Sequence, residues 1–423
     1  MIPEMEFFKK KAVQTCLTGR TIQKLKPLSA LPEQPDIIEF LLPGRPQHFL
    51  DLNNLTLRLV VSMVSAAGLP LEDADDKVGI VDAPLHSFFS QVEVFLSEQP
   101  VTKSAHLYHY KSICDLYLAS DGPGRKGMMS TFLCVPDAAP SAVDGTNASW
   151  KTRQEPFLKS SQVELIGKLR ADICQLEDGA FILDNVPLRV RLTLNPKDVY
   201  LWSSAADKDA KILFHDAELS VPYFVANPEL SLGLEQMLAT QPATYRFKSS
   251  QLKTFLHPAF SPNLNIPIAF SGRLPTSVVL AAVKASDYNG SKTTNPFNFV
   301  HCGFEELTFN CNGSERTYKL NTARPYGCTS VLRSLYTELG MDYEETSGHV
   351  ISMKNITNGK FMVALDLTLD RSGSGPSQNL SDFGTVSVHG RLKEPLNHAI
   401  CILLYAKFDS VMEISGSREV VVL

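Results

Sequence analysis

Apolar and polar positions alternate along most of this chain. Leu55, Leu57 and Leu59 alternate with Thr56 and Arg58. Val92, Val94 and Leu96 lie on the opposite parity from Glu93 and Phe95. Leu188, Val190, Leu192 and Leu194 alternate with Arg189, Arg191 and Thr193. Val363, Leu365, Leu367 and Leu369 alternate with Ala364, Asp366 and Thr368. A period of two predicts strands with one face on a core and one toward water. On that reading Asp366 and Thr368 belong to a solvated sheet face. The run Ile400 to Tyr405 is apolar at both parities, which predicts a central strand covered on both faces.

Turn signals separate these runs. Asp121-Gly122, Asp178-Gly179, Asn289-Gly290, Asn312-Gly313 and Asn358-Gly359 are hairpin-type dipeptides, because glycine accepts the positive φ of tight turns. Stretches rich in Ser, Pro, Asp and Gly at 65–77, 137–150 and 371–382 read as long loops. Helical spacing is confined to three places. One is Leu107, Tyr110, Cys114, Tyr117 and Leu118. Another is Leu332, Leu335, Tyr336 and Leu339 with Gly340 as the C-terminal cap. The third, Pro228 to Leu238, reads as a linker helix.

The order of elements repeats. In the first half, the strand Val92 to Leu96 leads to the helix near 107–119. A loop comes next, then Gly167-Lys168-Leu169 opening a strand, then the strand Leu188 to Leu194. In the second half, the strand Leu307 to Cys311 leads through Asn312-Gly313 to the helix near 331–339. A loop, Gly359-Lys360-Phe361 opening a strand, and the strand Ile400 to Phe408 complete it. A duplicated β-rich module implies two similar sandwiches, with the linker near 226–241. The expected division is an N-terminal arm over 1–35, a first sandwich over 36–228 and a second over 229–423. Many short strands with long loops on only some connections suit an all-β pair of tandem jelly rolls, with a few short helices in the loops.

Composition narrows the function. A net charge of -5 excludes a nucleic-acid-binding polycation. The N-terminus places Glu4 and Glu6 ahead of Lys9-Lys10-Lys11, the reverse of a signal peptide, and no apolar run is long enough to span a membrane. Synthesis in the cytosol is therefore expected, and sequons such as Asn147-Ala148-Ser149 read as chance products of polar turns. The eight cysteines form no CxxC pair and read as buried thiols without disulfides.

Candidate chemistry is sparse. Gly122 to Gly127 lacks the spacing and hydroxyl of a phosphate loop, and neither HExxH nor GxSxG occurs. His106 and His109 are three apart, with no third ligand nearby; a surface or packing role outweighs a metal site. No HxH or HxD pair sits on a strand, which disfavours a jelly-roll oxygenase. No catalytic residue, cofactor or metal is expected. Lys9, Lys10, Lys11, Arg20, Lys24 and Lys26 form a candidate basic arm behind Phe7 and Phe8. It suits contact with nucleic acid or another subunit as well as it suits an exposed terminus.

Several blocks carry a resemblance. Asp36-Ile37-Ile38-Glu39-Phe40 leads to Pro43-Gly44, then to Phe49-Leu50-Asp51-Leu52 and the strand from Leu55 to Val61. Pro84 to Val94, Tyr288-Asn289-Gly290 with Asn295-Pro296-Phe297-Asn298-Phe299, Leu365 to Thr368 and Tyr405 to Asp409 come after it in order. Together, over roughly 36–423, these resemble the double jelly-roll major capsid proteins of the Polinton/Maverick and adintovirus group.

The resemblance implies a hexon-like homotrimer whose six jelly rolls form a pseudo-hexameric capsomer. Such capsomers tile an icosahedral shell around double-stranded DNA in the virion, beside a penton or minor capsid protein. Assembly would take place in the host nucleus or cytoplasm, with non-specific DNA contact through the N-terminal arm. Phe88, Phe89, Phe297 and Phe299, dense in these blocks, are candidates either for subunit contact or for packing inside the protomer. Asn295 to Phe299 suits a corner, because the residue before proline is held extended and two aromatics come after it. The alternative reading is a two-domain β-sandwich of the lectin or adhesion type, which a signal peptide and disulfides would favour.

Overall fold

The computed structural model describes residues 14–71, 78–102, 106–119, 127–135, 137, 139–144, 146–203, 209–321, 324, 327–341, 351–373, 378–379 and 382–423. Among them, sixteen strands build two sandwiches. The first uses β1 (Leu17–Leu25), β2 (Ile37–Leu42), β3 (Thr56–Ser65), β4 (Phe89–Leu96), β5 (Gln99–Pro100), β6 (Val163–Lys168), β7 (Leu188–Leu194) and β8 (Ala210–Ala226). The second uses β9 (Ala243–His257), β10 (Asn263–Arg273), β11 (Ser277–Lys284), β12 (Phe304–Cys311), β13 (Ser314–Lys319), β14 (Met362–Asp366), β15 (Phe383–Leu392) and β16 (Ile400–Ile414).

In the first sandwich one sheet runs β1-β8-β3-β6 and the other β2-β7-β4-β5, every pair antiparallel. In the second, the sheets run β9-β16-β11-β14 and β10-β15-β12-β13. Adding eight to each strand number of the first sandwich reproduces the second. Two jelly rolls in tandem are thus written into the pairing itself.

The duplication holds with its register corrected. Leu188–Leu194 is the seventh strand of its roll, whereas Ile400–Ile414 is the eighth; their true counterparts are β15 and β8. Gly167 and Lys168 close β6 rather than open a strand. Asn312 and Gly313 form the tight β12–β13 turn at φ of 50° and 86°. Asn289-Gly290, by contrast, comes after the short helix Ala285–Tyr288 and joins no hairpin.

Part of the expected arm is strand. β1 pairs along β8 from Leu17↔Ala226 to Leu25↔Leu219, so Leu17–Leu25 is an edge strand of the first roll. Its exposed, polar pattern hid it, since positions of both parities meet water and only Leu25 is buried. Residues 1–13 lie outside the described residues.

The three longest helices among the described residues are α1 (Tyr108–Ala119), α2 (Pro228–Leu238) and α3 (Thr329–Glu338). The α2 helix joins the two rolls. Pro228 opens it, and the Asn227 side chain accepts the Glu229 N–H at 3.2 Å. Gly340 lies just past α3 at φ +67°, as its capping role predicts. Asp366 departs from expectation. It is buried, and its carboxylate accepts the Thr368 N–H (2.8 Å), the Thr368 hydroxyl and the Gly373 N–H (2.9 Å). The strand therefore ends at Asp366, because that side chain folds the next residues into a turn.

Candidate functional site

The residues with concentrated chemistry lie where the two rolls meet. The α1 helix is buried at most of its positions although Lys111, Ser112 and Asp115 put a polar stripe on one side. One side packs on β4 and the turn Pro84–Ser87. The other reaches the second roll. Tyr405 on β16 donates its hydroxyl to Asp115 Oδ1 at 2.8 Å, and Lys407 Nζ lies 3.7 Å from the same oxygen. Lys111, one helical turn before Asp115, reaches Asp172 Oδ1 at 2.8 Å. Asp172 in turn accepts the Ser250 N–H (2.9 Å) and hydroxyl (2.8 Å) from β9.

Asp115, Lys111 and Asp172 are largely enclosed, and Lys407 reaches them from the partly exposed rim. Burial alone would push Asp115 up; Lys407, Lys111 and the Tyr405 hydroxyl outweigh it and hold the carboxyl below its usual range. Burial likewise opposes the Lys111 charge, and Asp172 with Asp115 keep its pKa raised. The result is a paired ionic seam.

A second buried pair sits nearby. Arg153 is fully enclosed; its guanidinium bonds Asp137 Oδ1 (2.7 Å), the Ile80 carbonyl (2.8 Å) and the Val135 carbonyl (2.6 Å). The Asn295 amide of the second roll donates to Asp137 Oδ2 at 3.1 Å and to the Pro140 carbonyl at 3.2 Å. The other end of that amide accepts the Phe297 N–H at 2.9 Å. Asn295 to Phe299 is thus the corner expected from its sequence, set between the rolls of one chain.

The four phenylalanines resolve accordingly. Phe297 meets Tyr110 edge-on (5.6 Å, 85°) and His109 (6.3 Å); Phe299 meets Tyr117 (6.2 Å, 84°). Phe88 packs on Tyr200 (5.1 Å) and Phe214 (5.5 Å), and Phe89 is enclosed in the same core. All four are buried within the protomer, Phe297 and Phe299 against rings of the first roll. Gly290 shows how close the rolls approach: a Cβ there would lie 2.7 Å from the Asp198 carbonyl oxygen, at a φ of +85°.

The other candidates do not converge. Arg20, Lys24 and Lys26 belong to β1 or its end, not to a free arm. Lys24 pairs with Glu218 at 3.1 Å, Lys26 with Asp216 at 2.8 Å, and Arg20 lies over the Phe224 ring. Lys9, Lys10 and Lys11 lie outside the described residues, as do Asp121-Gly122 and most of Gly122–Gly127. His106 is exposed, whereas His109 is buried beside Tyr110, and burial lowers its pKa to about 3. Among the described residues no three His, Cys, Asp or Glu side chains gather as a metal site. All eight cysteines are free thiols. No helix among the described residues is long and apolar enough to cross a membrane.

Sequence reasoning missed the ionic seam. The available signal was Lys111 and Asp115, four apart on a largely apolar helix. Asp137, Asp172 and Arg153 carried no signal: Asp137 sits in a loop, Asp172 in a single short turn and Arg153 on the helix Ala148–Gln154, and their contacts are set only by the closed fold.

No family model matches the chain, and no curated protein matches it. Solved structures do. A chain in the structure of the Sputnik virophage aligns at TM-score 0.66 and 12% identity, covering 100% of this chain and 92% of that one. PBCV-1 VP54, in a crystal structure fitted into a reconstruction of Sputnik, gives 0.62 and 13%, covering 98% and 99%. The mavirus major capsid protein gives 0.57 and 10%, covering 98% and 92%. The likeness is one of fold and runs through both rolls.

Proposed function

We propose that this chain is a major capsid protein with no catalytic role. Three copies associate into a capsomer, their six jelly rolls stand around a pseudo-sixfold axis, and capsomers tile an icosahedral shell around double-stranded DNA. The observation that carries the reading is the whole-chain likeness to capsid proteins, spanning both rolls and the join between them.

The physics of the protomer supports it. A pseudo-hexagonal block needs two similar wedges per chain, and the strand order of the first roll recurs in the second. It also needs the wedges held at one angle. The seam supplies that with Tyr405 and Lys407 on Asp115, Ser250 on Asp172, the Asn295 to Phe299 corner and stacked Tyr110 and Tyr288 rings (5.6 Å, 8°). Cyclic symmetry closes such a block without free ends. In this reading the protein resides in the virion after synthesis in the host cytosol. Its neighbours are other capsomers and a vertex protein. Any DNA contact would fall to Lys9 to Lys11 and Arg20, because β8 carboxylates neutralise Lys24 and Lys26.

Cryo-electron microscopy of the purified protein tests this. Class averages with a hexagonal outline and threefold symmetry are expected. Isolated pairs of sandwiches with no higher order would overturn the reading.

A further inference from the structure

A cleft of about 680 Å³ opens at one end of the second roll. Its walls come from the segments 298–303, 357–359 and 393–398, with Lys284 at the end of β11 and Ser141 reaching in from the first roll. The location is set by the register. β9 pairs with β16 from Ala243↔Ile414 to His257↔Ile400, and Lys284 also sits opposite Ile400. The cleft therefore lies at the far end of fifteen-residue strands from α2 and the C-terminus, a distance of roughly 50 Å at ~3.3 Å per residue.

The lining has an unusual balance. Lys284 and Lys393 are both exposed, and among the described residues neither carries an ion pair. Glu394 is the single carboxylate in the wall. His301 Nδ1 accepts the Gly303 N–H at 3.1 Å, which leaves its Nε2–H as a donor. Burial lowers the His301 pKa, in keeping with that neutral form. His398 Nδ1 is held by Asn397 Oδ1 at 2.8 Å. Between these groups lie the Asn298 amide and the apolar surfaces of Val300 and Leu396.

We propose that this cleft binds an acidic saccharide, a sugar bearing sulfate or carboxylate groups. The two lysines supply charge to the anionic substituents. Amide and imidazole N–H groups suit ring hydroxyls, which an inorganic ion lacks. The apolar floor suits the C–H face of a pyranose. The volume falls within the roughly 300–1,000 Å³ of small-molecule sites. The inference goes beyond the capsid reading and rests on the cleft alone.

Isothermal titration of the full chain with a heparin-derived tetrasaccharide, 3′-sialyllactose, uncharged lactose and sodium sulfate tests it. Saturable binding of one of the two acidic saccharides, with none for lactose and weaker binding of sulfate, is the expected result. The double variant Lys284→Ala/Lys393→Ala should weaken that binding about tenfold or more while its thermal unfolding stays unchanged. Lys319→Ala, on the strand β13, should leave binding intact. Absence of binding by both acidic saccharides at millimolar concentration overturns the proposal. So does sulfate binding as tightly as the saccharides, or a double variant that binds as well as the parent. The titration reads the same site in a monomer or an assembly, so its failure and failure of the capsid reading are separable.

Discussion

The sheet β1-β8-β3-β6 and the sheet β9-β16-β11-β14 share a strand order and differ on their outer faces. The first carries a lattice of charges. Arg58 joins Glu164 and Asp216, Lys26 joins Asp216 and Glu218, and Ser62 bonds His215 at 2.7 Å. The second carries Leu252, Val279, Ala281, Val283, Leu403 and Tyr405, all buried, because α1 of the first roll lies over that region. One architecture therefore tolerates either solvent. What decides is the parity of apolar residues, and the covered face adds a few buried charges that must find partners. A charge on the open sheet trades its pair for water at little cost. A charge deep in the seam, such as Asp115, has little water to turn to.

Mutations that probe the two faces should differ by several kcal/mol. The largest effect is expected at Arg153. Arg153→Met leaves Asp137 buried without its cation and should cost about 3–5 kcal/mol in urea unfolding. A loss under ~1 kcal/mol would mean that Asp137 is reached by water. Phe297→Ala comes next, at about 3–5 kcal/mol, from an emptied space between Tyr110 and His109. It should lower the unfolding midpoint whatever the oligomeric state, which a residue confined to a subunit contact would not do. Asp115→Asn should cost about 1–3 kcal/mol, since Lys407 and Lys111 lose a charge while the Tyr405 hydroxyl keeps an acceptor. Arg58→Ala, on the open face, should change stability by under ~1 kcal/mol and lose that effect in high salt.

Acid separates the faces further. His86 and His109 are buried with pKa values lowered to about 3, first by burial. Unfolded, each takes up a proton near pH 6.5. Between those values the unfolded chain binds more protons, so stability falls as pH falls from about 6.5 toward 3. Asp115, held below its usual range, adds a loss at the acid end as it protonates. Thermal unfolding monitored from pH 7 to pH 4 should show a falling midpoint. A flat profile would place both histidines in contact with water in the folded state.

Much of this contrast was legible along the chain. The alternation around Arg58 gave an open face, and the unbroken apolar run Ile400 to Tyr405 gave a covered one; burial in the structure matches both. The α1 helix was likewise readable from its helical spacing. The edge strand Leu17–Leu25 was not, because an edge needs backbone pairing more than apolar side chains. Asp366 misled because a period of two cannot distinguish a solvated carboxylate from one that caps a turn. The aromatic block Asn295 to Phe299 was readable as a corner. Which surface it joins depended on contacts more than a hundred residues apart, such as Asn295 with Asp137.

In the proposed capsomer, two rolls locked by the seam form one third of a closed block. Multi-angle light scattering on the purified protein at micromolar concentration tests it most directly. Three chains of 46.7 kDa predict a mass of about 140 kDa that survives dilution. A stable species of 46.7 kDa would contradict the account.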